Sequence, residues 1–301
     1  MIGVPRRIPT DRSLQARMLL TMLLLGGVYG VFLSILWNLG ASVVLMLILA
    51  SLMVLFQFWF SDRMVLTLMR AKVVTPEEAP DLHAMIDRLS AAAGIPKPRV
   101  AVSEMRVPNA FATGRNQRQA AVCVTAGLVS ILNKRELEGV LAHEISHIRT
   151  RDVQVMTYAS FFAVVASTLM MFFFWMGLFG GFGGRRNNEG NAALIALLVT
   201  LVVWLVSQIL IAALSRYREF SADRGAAFLT GRPQDLASAL QRIDGAVHRI
   251  PKDDLRRVES MSAFFIMPAV AGGLASLFST HPNTERRIAQ LRELEREVAL
   301  G

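Results

Sequence analysis

The sequence predicts a mainly α-helical membrane protein with four transmembrane helices and one cytoplasmic α+β domain containing a small sheet. Three observations lead there. Of 301 residues, 53% are hydrophobic and 18% charged, with a mean hydropathy of +0.43. That balance is too apolar for a wholly soluble protein and too charged for a wholly intramembrane one. Four long runs carry no charge, and between them lie an amphipathic helix, LEGVLAHEISHIRTRD, and a predicted hairpin, VPNAFATGRNQRQAAVCV.

Residues 1–17 form a cytoplasmic arm bearing Arg6, Arg7, Arg12 and Arg17. Two apolar runs follow, Met18 to Trp37 and Ala41 to Phe60, within a first transmembrane hairpin at 18–60. Each approaches the roughly 20 residues a helix needs to cross the hydrocarbon layer. The first run has the basic front of a signal peptide. It is too long for one, lacks a clear small-residue cleavage site and runs almost directly into the second, so a retained hairpin is expected. Residues 61–154 are the first part of the soluble domain, and 155–214 form a second hairpin from Val155 to Phe179 and Asn191 to Leu214. Residues 215–301 complete the domain on the same side, because an even number of crossings separates its two pieces. A fifth uncharged run, Met261 to Ser279, contains Pro268 and the Gly272-Gly273 pair and reads better as a loop or core segment.

Orientation follows from basic residues, which are retained in the cytoplasm. Arginines precede the first hairpin, and Arg63, Arg70 and Lys72 follow it, while its turn, Asn38-Leu39-Gly40, is uncharged. The second hairpin has Arg185 and Arg186 in its turn, against Arg149 and Arg151 before it and Arg216, Arg218 and Arg224 after it. Both termini and the domain are therefore placed in the cytoplasm. The net charge of +9 comes without an aromatic-interleaved basic motif, which points to anionic lipid and away from nucleic acid. A single cysteine, Cys123, excludes an internal disulfide and suits a reducing compartment.

Just before the stretch LEGVLAHEISHIRTRD (Leu137 to Asp152), Asn133 and Glu136 mark a helix start as N-cap and reciprocal glutamate. Leu137, Val140, Leu141, Ile145 and Ile148 form its apolar stripe. At about 100° per residue, His143 and His147 lie one turn apart on the border of that stripe, with Glu144 beside them. Two imidazoles at this spacing can bind one Zn²⁺, and the adjacent glutamate is placed to take a proton from a water. Two ligands do not complete a catalytic zinc site. After the fourth apolar run comes LSRYREFSADRGAAFLTGRP, a helix closed by Gly231 and Pro233. Glu219 and Asp223 share one of its faces, and Ala222, Gly225, Ala226 and Ala227 allow close approach of a neighbouring helix. Glu219 can supply the third ligand, and Asp223 can orient a ligand histidine through its other ring nitrogen.

HEISHIRTRD, then EFSAD after a hairpin, then THPNTERRI resemble the HtpX-type zinc metallopeptidases of bacterial membranes, gluzincins related to the Ste24 and Oma1 families. The resemblance covers most of the chain. It implies a gluzincin-like zinc metalloprotease domain with one Zn²⁺ per chain on His143, His147 and Glu219, and Glu144 as catalytic base. It further implies that Asn109 and Ala110, in VPNAFATGRNQRQAAVCV, belong to the edge strand of a hairpin on which an extended substrate lies. His281 is matched to a histidine that hydrogen-bonds the oxyanion, with Arg287 nearby. Four spans rather than the larger chamber of the Ste24 branch argue against prenyl-peptide cleavage.

The function expected is that of a zinc metalloendopeptidase in the bacterial inner membrane, acting in stress-related quality control on polypeptide substrates that are themselves membrane proteins. Glu219 is five residues past Leu214 and His147 eight before Val155, so both are expected within roughly 8–12 Å of the bilayer surface. An intramembrane protease of the site-2 type is disfavoured, because Lys134, Arg135, Glu136 and Glu138 precede the histidines and Arg149, Arg151 and Asp152 follow them. A metal transporter would need more polar residues in its spans than Gln57 and Gln208. A zinc-binding scaffold or holdase remains the alternative, but it gives Glu144 no task.

Overall fold

The structure, a computed structural model, describes residues 12–38, 48, 51, 52, 55, 59, 65–180, 187–249 and 283–300. The chain divides into two compact units. One gathers Met1–Leu14, Phe60–Gln154 and Ser215–Gly301; the other gathers Gln15–Trp59 and Val155–Leu214. In chain order the described elements are α1 (Arg12–Asn38), β1 (Ala71–Val73), α2 (Pro80–Ala93), β2 (Arg99–Ser103), β3 (Ala110–Thr113) and β4 (Ala121–Thr125). There follow α3 (Ala126–Ile131), α4 (Lys134–Arg149), α5 (Asp152–Gly180), α6 (Asn187–Thr230), α7 (Pro233–Val247) and α8 (Thr284–Leu300).

The apolar unit is built from α1 and the apolar parts of α5 and α6. Its interior holds Leu25, Tyr29, Phe32, Val165, Leu169, Val203 and Leu214, while Leu19, Leu23, Val31, Leu198 and Val202 are exposed. Helices that are apolar on their outer face as well are what a lipid solvent selects. Their few hydroxyls donate one turn back, as Thr200 does to the Ala196 carbonyl and Ser207 to the Val203 carbonyl, both at 2.6 Å. Two helices among the described residues are long and apolar enough to cross a membrane, Arg12–Ile35 and Leu194–Thr230. The third expected run lies in the helix α5, and the second falls largely outside the described residues, as does the run 261–279.

The other unit contains a four-stranded sheet of order β1-β2-β4-β3. β1 runs antiparallel to β2, β2 parallel to β4, and β4 antiparallel to β3, which leaves β3 at an edge. β4 is buried along its whole length, as expected for AVCVT with both sheet faces covered. Val100, Val122 and Val124 face Ile86 of α2, Leu141 and Ile145 of α4, Leu240 of α7 and Leu291 of α8. Ala101, Phe111 and Cys123 face Val65 and Met69 on the other side. α4 begins with the full capping box: the Asn133 side chain accepts from the Arg135 and Glu136 amides, and Glu136 accepts from the Asn133 amide at 2.9 Å. Glu136 is buried and also takes Ser238 Oγ at 2.6 Å and Arg242 Nε at 2.8 Å, tying α4 to α7.

One feature differs from a division of the chain at Leu214. The last apolar run and the segment with Glu219 form one continuous helix of 44 residues, α6. No glycine or proline lies between Asn191 and Arg224 to interrupt it. It ends where expected, at Gly231, whose φ of 68° suits glycine.

Candidate metal centre

α4 presents its two histidines toward α6 because the apolar stripe holds its opposite side against the sheet. The approach is close. A Cβ on Gly225 of α6 would lie 2.4 Å from Ser146 Oγ and 2.8 Å from Ser146 Cβ, so only glycine allows this spacing between Ser146 and α6. Asp223, two residues before Gly225, and Glu219, one turn before Asp223, are thereby brought against His143 and His147.

The Nε2 atoms of His143 and His147 stand 3.1 Å apart, with ring planes at 89°. Each is also 3.5 Å from one carboxylate oxygen of Glu219. The outward ring nitrogens are occupied. His143 Nδ1 is 2.9 Å from Asp223 Oδ1, and His147 Nδ1 is 2.5 Å from Asp152 Oδ2. A carboxylate at Nδ1 fixes the proton there and leaves Nε2 as a lone pair. Two lone pairs and a carboxylate therefore converge on one point, their ligand atoms all within 4.8 Å of one another. Ligands at zinc's usual 2.0–2.2 Å in tetrahedral array stand about 3.3–3.6 Å apart. The observed separations are close to that.

Charge leads to the same conclusion. Around the histidines lie four buried carboxylates, Glu144, Asp152, Glu219 and Asp223, and two buried guanidiniums, Arg218 and Arg287. Neutral imidazoles leave this cluster short of two positive charges, which one divalent cation supplies. Without the cation the histidines attract protons instead. Burial disfavours the imidazolium of His147, but Asp152 and Glu219 outweigh burial and push its pKa up to about 10. His143 is likewise raised: burial and Arg287 oppose protonation, and Asp223 and Glu219 overcome them. Asp152 moves the other way, to about 2, because Arg218 and His147 outweigh its burial. The donor set and the charge deficit both fit a divalent metal.

Arg287, only 1% exposed, reaches the cluster from α8. Its Nε and Nη2 hold both oxygens of Asp223 at 2.8 and 2.7 Å, and its Nη1 lies 3.2 Å from Glu219 Oε2. Glu144 is buried within electrostatic reach of the same guanidinium. Asn109 is fully buried, its carbonyl accepting from the Thr125 amide at 2.9 Å and its amide donating to Thr125 Oγ1 at 2.9 Å. Ala110, the next residue, begins the edge strand opposite Val124. His281 lies outside the described residues. Two residues of the cluster escape a reading of the sequence, Asp152 and Arg218. The available signal was an aspartate five residues after the second histidine, but it reads equally well as a solvated helix end.

Residues 76–295 match peptidase family M48. The chain is 54% identical to a protease HtpX homolog of Moorella thermoacetica over 97% of its own length and 98% of that protein. It is 50% identical to protease HtpX homolog 2 of Methanosarcina mazei, over 98% and 99%. Its fold is similar to the crystal structure of Ste24p of S. mikatae, with a TM-score of 0.55 and 20% identity, over 93% of this chain and 67% of that one. The match across the metal-centre helices, together with full-length relatives at half identity, shows that the chain belongs to peptidase family M48 as a membrane-associated metallopeptidase of the HtpX type.

Proposed function

We propose that the chain is a zinc-dependent endopeptidase, multi-pass in the cytoplasmic membrane, that cuts misfolded or damaged membrane proteins at the cytoplasmic face. The observation that carries the reading is the convergence of His143, His147 and Glu219 in a cluster short of two positive charges, with Glu144 at the position after the first histidine. His143 and His147 would hold zinc through Nε2, and Glu219 through its carboxylate. Bound there, zinc supplies Lewis acidity that acidifies a water and polarises the scissile carbonyl. Glu144 accepts the proton from the attacking water on its carboxylate and delivers it to the departing amine. Asp223, held by Arg287, keeps His143 in the Nδ1–H form and aimed inward.

The peptide is taken along β3. Hydrogen-bonding positions alternate along an antiparallel strand. Because the amide and carbonyl of Asn109 both face Thr125, those of Ala110 face the opposite way, toward the side on which no strand pairs among the described residues. Backbone pairing there would hold an extended chain with little regard to its side chains, which suits a quality-control protease. His281 would donate to the oxyanion. In sequence, Glu219 stands five residues from an apolar run and His147 eight, which favours substrates emerging from or lying against the bilayer.

The test uses the full chain purified in detergent, with zinc content and cleavage of an unfolded casein measured on the same sample. About one zinc per chain is expected, with cleavage abolished by a chelator and restored by zinc. Stoichiometric zinc without cleavage of any unfolded polypeptide would instead indicate a scaffold or holdase.

A further inference from the structure

The two histidines of the metal centre are supported by different parts of the chain. His143 leans on Asp223 from α6, which Arg287 of α8 grips with two hydrogen bonds. His147 leans on Asp152, five residues ahead in its own chain and the first residue of α5. Asp152 is 2% exposed and fully engaged. Its Oδ2 accepts from His147 Nδ1 at 2.5 Å and from Arg218 Nη2 at 3.1 Å, and its Oδ1 accepts from Thr150 Oγ1 at 2.8 Å.

The backbone is shaped to make this contact. α4 ends at Arg149, Thr150 caps it, and Arg151 adopts φ 57° before α5 begins. The left-handed region is sterically unfavourable for a residue with a Cβ, and such positions persist where surrounding contacts over-determine them. Here that one residue folds the chain back so that the carboxylate of Asp152 reaches the ring above it. The pairing repeats the chemistry found on the other side: histidine, buried aspartate, buried arginine.

We propose that Asp152, clamped by Arg218 and Thr150, is the positioning residue of His147, forming a second histidine–aspartate–arginine relay beside that of His143, Asp223 and Arg287. The inference rests on the reading of His147 as a metal ligand. Asp152 keeps the proton on Nδ1, stops the ring from rotating about its χ angles, and leaves the Nε2 lone pair directed at the metal. Arg218 holds the carboxylate and compensates its buried charge. With both relays present, neither imidazole has to be oriented at the moment the metal enters.

The test uses Zn²⁺ and Co²⁺ on the full chain in detergent, comparing the parent with Asp152→Asn and Arg218→Gln. Asp152→Asn keeps the shape and removes the charge. It is expected to weaken zinc, measured by competition with a chromophoric chelator, by about 10- to 100-fold. It should also alter the visible Co²⁺ spectrum, and to lower kcat while KM changes less than about twofold. Arg218→Gln should have a smaller effect of the same kind. The double variant should bind no more weakly than Asp152→Asn alone, because both act through one carboxylate. A turn clip without influence on His147 would leave zinc affinity and the Co²⁺ spectrum at parent values even if thermal stability fell, and that result overturns the proposal. Should Asp152→Asn fail to fold, the decision passes to Arg218→Gln: an unchanged Co²⁺ spectrum and zinc affinity there also overturn it. If instead the parent binds no zinc, or His147→Ala retains it, the metal-ligand reading itself has failed, separately from the relay.

Discussion

At the scale of single residues, His147 is pulled in two directions, by burial toward the neutral ring and by Asp152 and Glu219 toward the imidazolium. In the metal-free protein the second pull wins. Its folded-state pKa of about 10 lies above the ordinary 6.5, so the stabilisation it gives is complete below about pH 6.5 and is lost as pH rises through about 10. Asp152, depressed to about 2, contributes above its ordinary 3.8 and loses that contribution only as pH falls through about 2. Zinc must displace the histidine protons, so its apparent affinity rises with pH across the same window. Titrating zinc into chelator-treated protein should therefore raise Tm more at pH 8.5 than at pH 6.5, and His147→Ala should flatten the difference. An equal shift at both pH values would contradict these assignments. The histidines and Glu144 are legible in the sequence because a helix puts i and i+4 on one face without outside help. Asp152 is not, because its contact depends on the left-handed backbone at Arg151, which no side-chain pattern announces. Arg287 could be anticipated only through family resemblance: its partner Asp223 is 64 residues away, with no periodicity to link them.

Among the elements, the contact of α4 with α6 sets the distance between the histidines and Glu219. Gly225 is a point of close approach between them. Gly225→Ala has to displace Ser146, whose hydroxyl already donates to the Ala142 carbonyl at 2.8 Å. A cost of about 1–3 kcal/mol is expected for such overpacking. Thermal unfolding of the zinc-loaded protein should show it as a lower Tm, partly recovered in the double variant with Ser146→Ala. A Tm equal to the parent's would mean that the helices separate here without penalty. The small residues of ADRGAA suggested close approach beforehand, and the capping box and apolar stripe of α4 were equally visible, since each is local. The continuity of α6 was not apparent, because hydropathy changes sharply at Leu214 while helix propensity does not. The sheet order was hidden as well. β2 pairs in parallel with β4, so β3 follows β2 in the chain but lies beyond β4 in the sheet, an order that no turn signal announces.

For the whole molecule, the distribution of arginine predicts that both termini and the metal-centre unit face the cytoplasm. The one native cysteine makes this easy to measure. Cys123 is buried, and its burial pushes the thiol pKa up to about 12, so it should stay silent toward maleimides. In intact cells, an impermeant maleimide should label a Gly40→Cys variant and spare Gly3→Cys and Ser279→Cys. Labelling of the last two with protection of the first would invert the topology.

The central claim is that one buried glutamate does the chemistry while another holds the metal. Zinc content and peptide hydrolysis, measured together on Glu144→Gln and Glu219→Gln, test it most directly. Glu144→Gln preserves the site's shape and both imidazoles and removes only the proton acceptor. Zinc should stay near one per chain while hydrolysis falls by about 10²-fold or more. Glu219→Gln replaces an anionic donor by a neutral amide and leaves the cation's charge less compensated. Zinc should be weakened or lost, activity should fall with it, and excess zinc should restore part of the activity in this variant alone. Loss of zinc from Glu144→Gln with retention in Glu219→Gln would contradict the account.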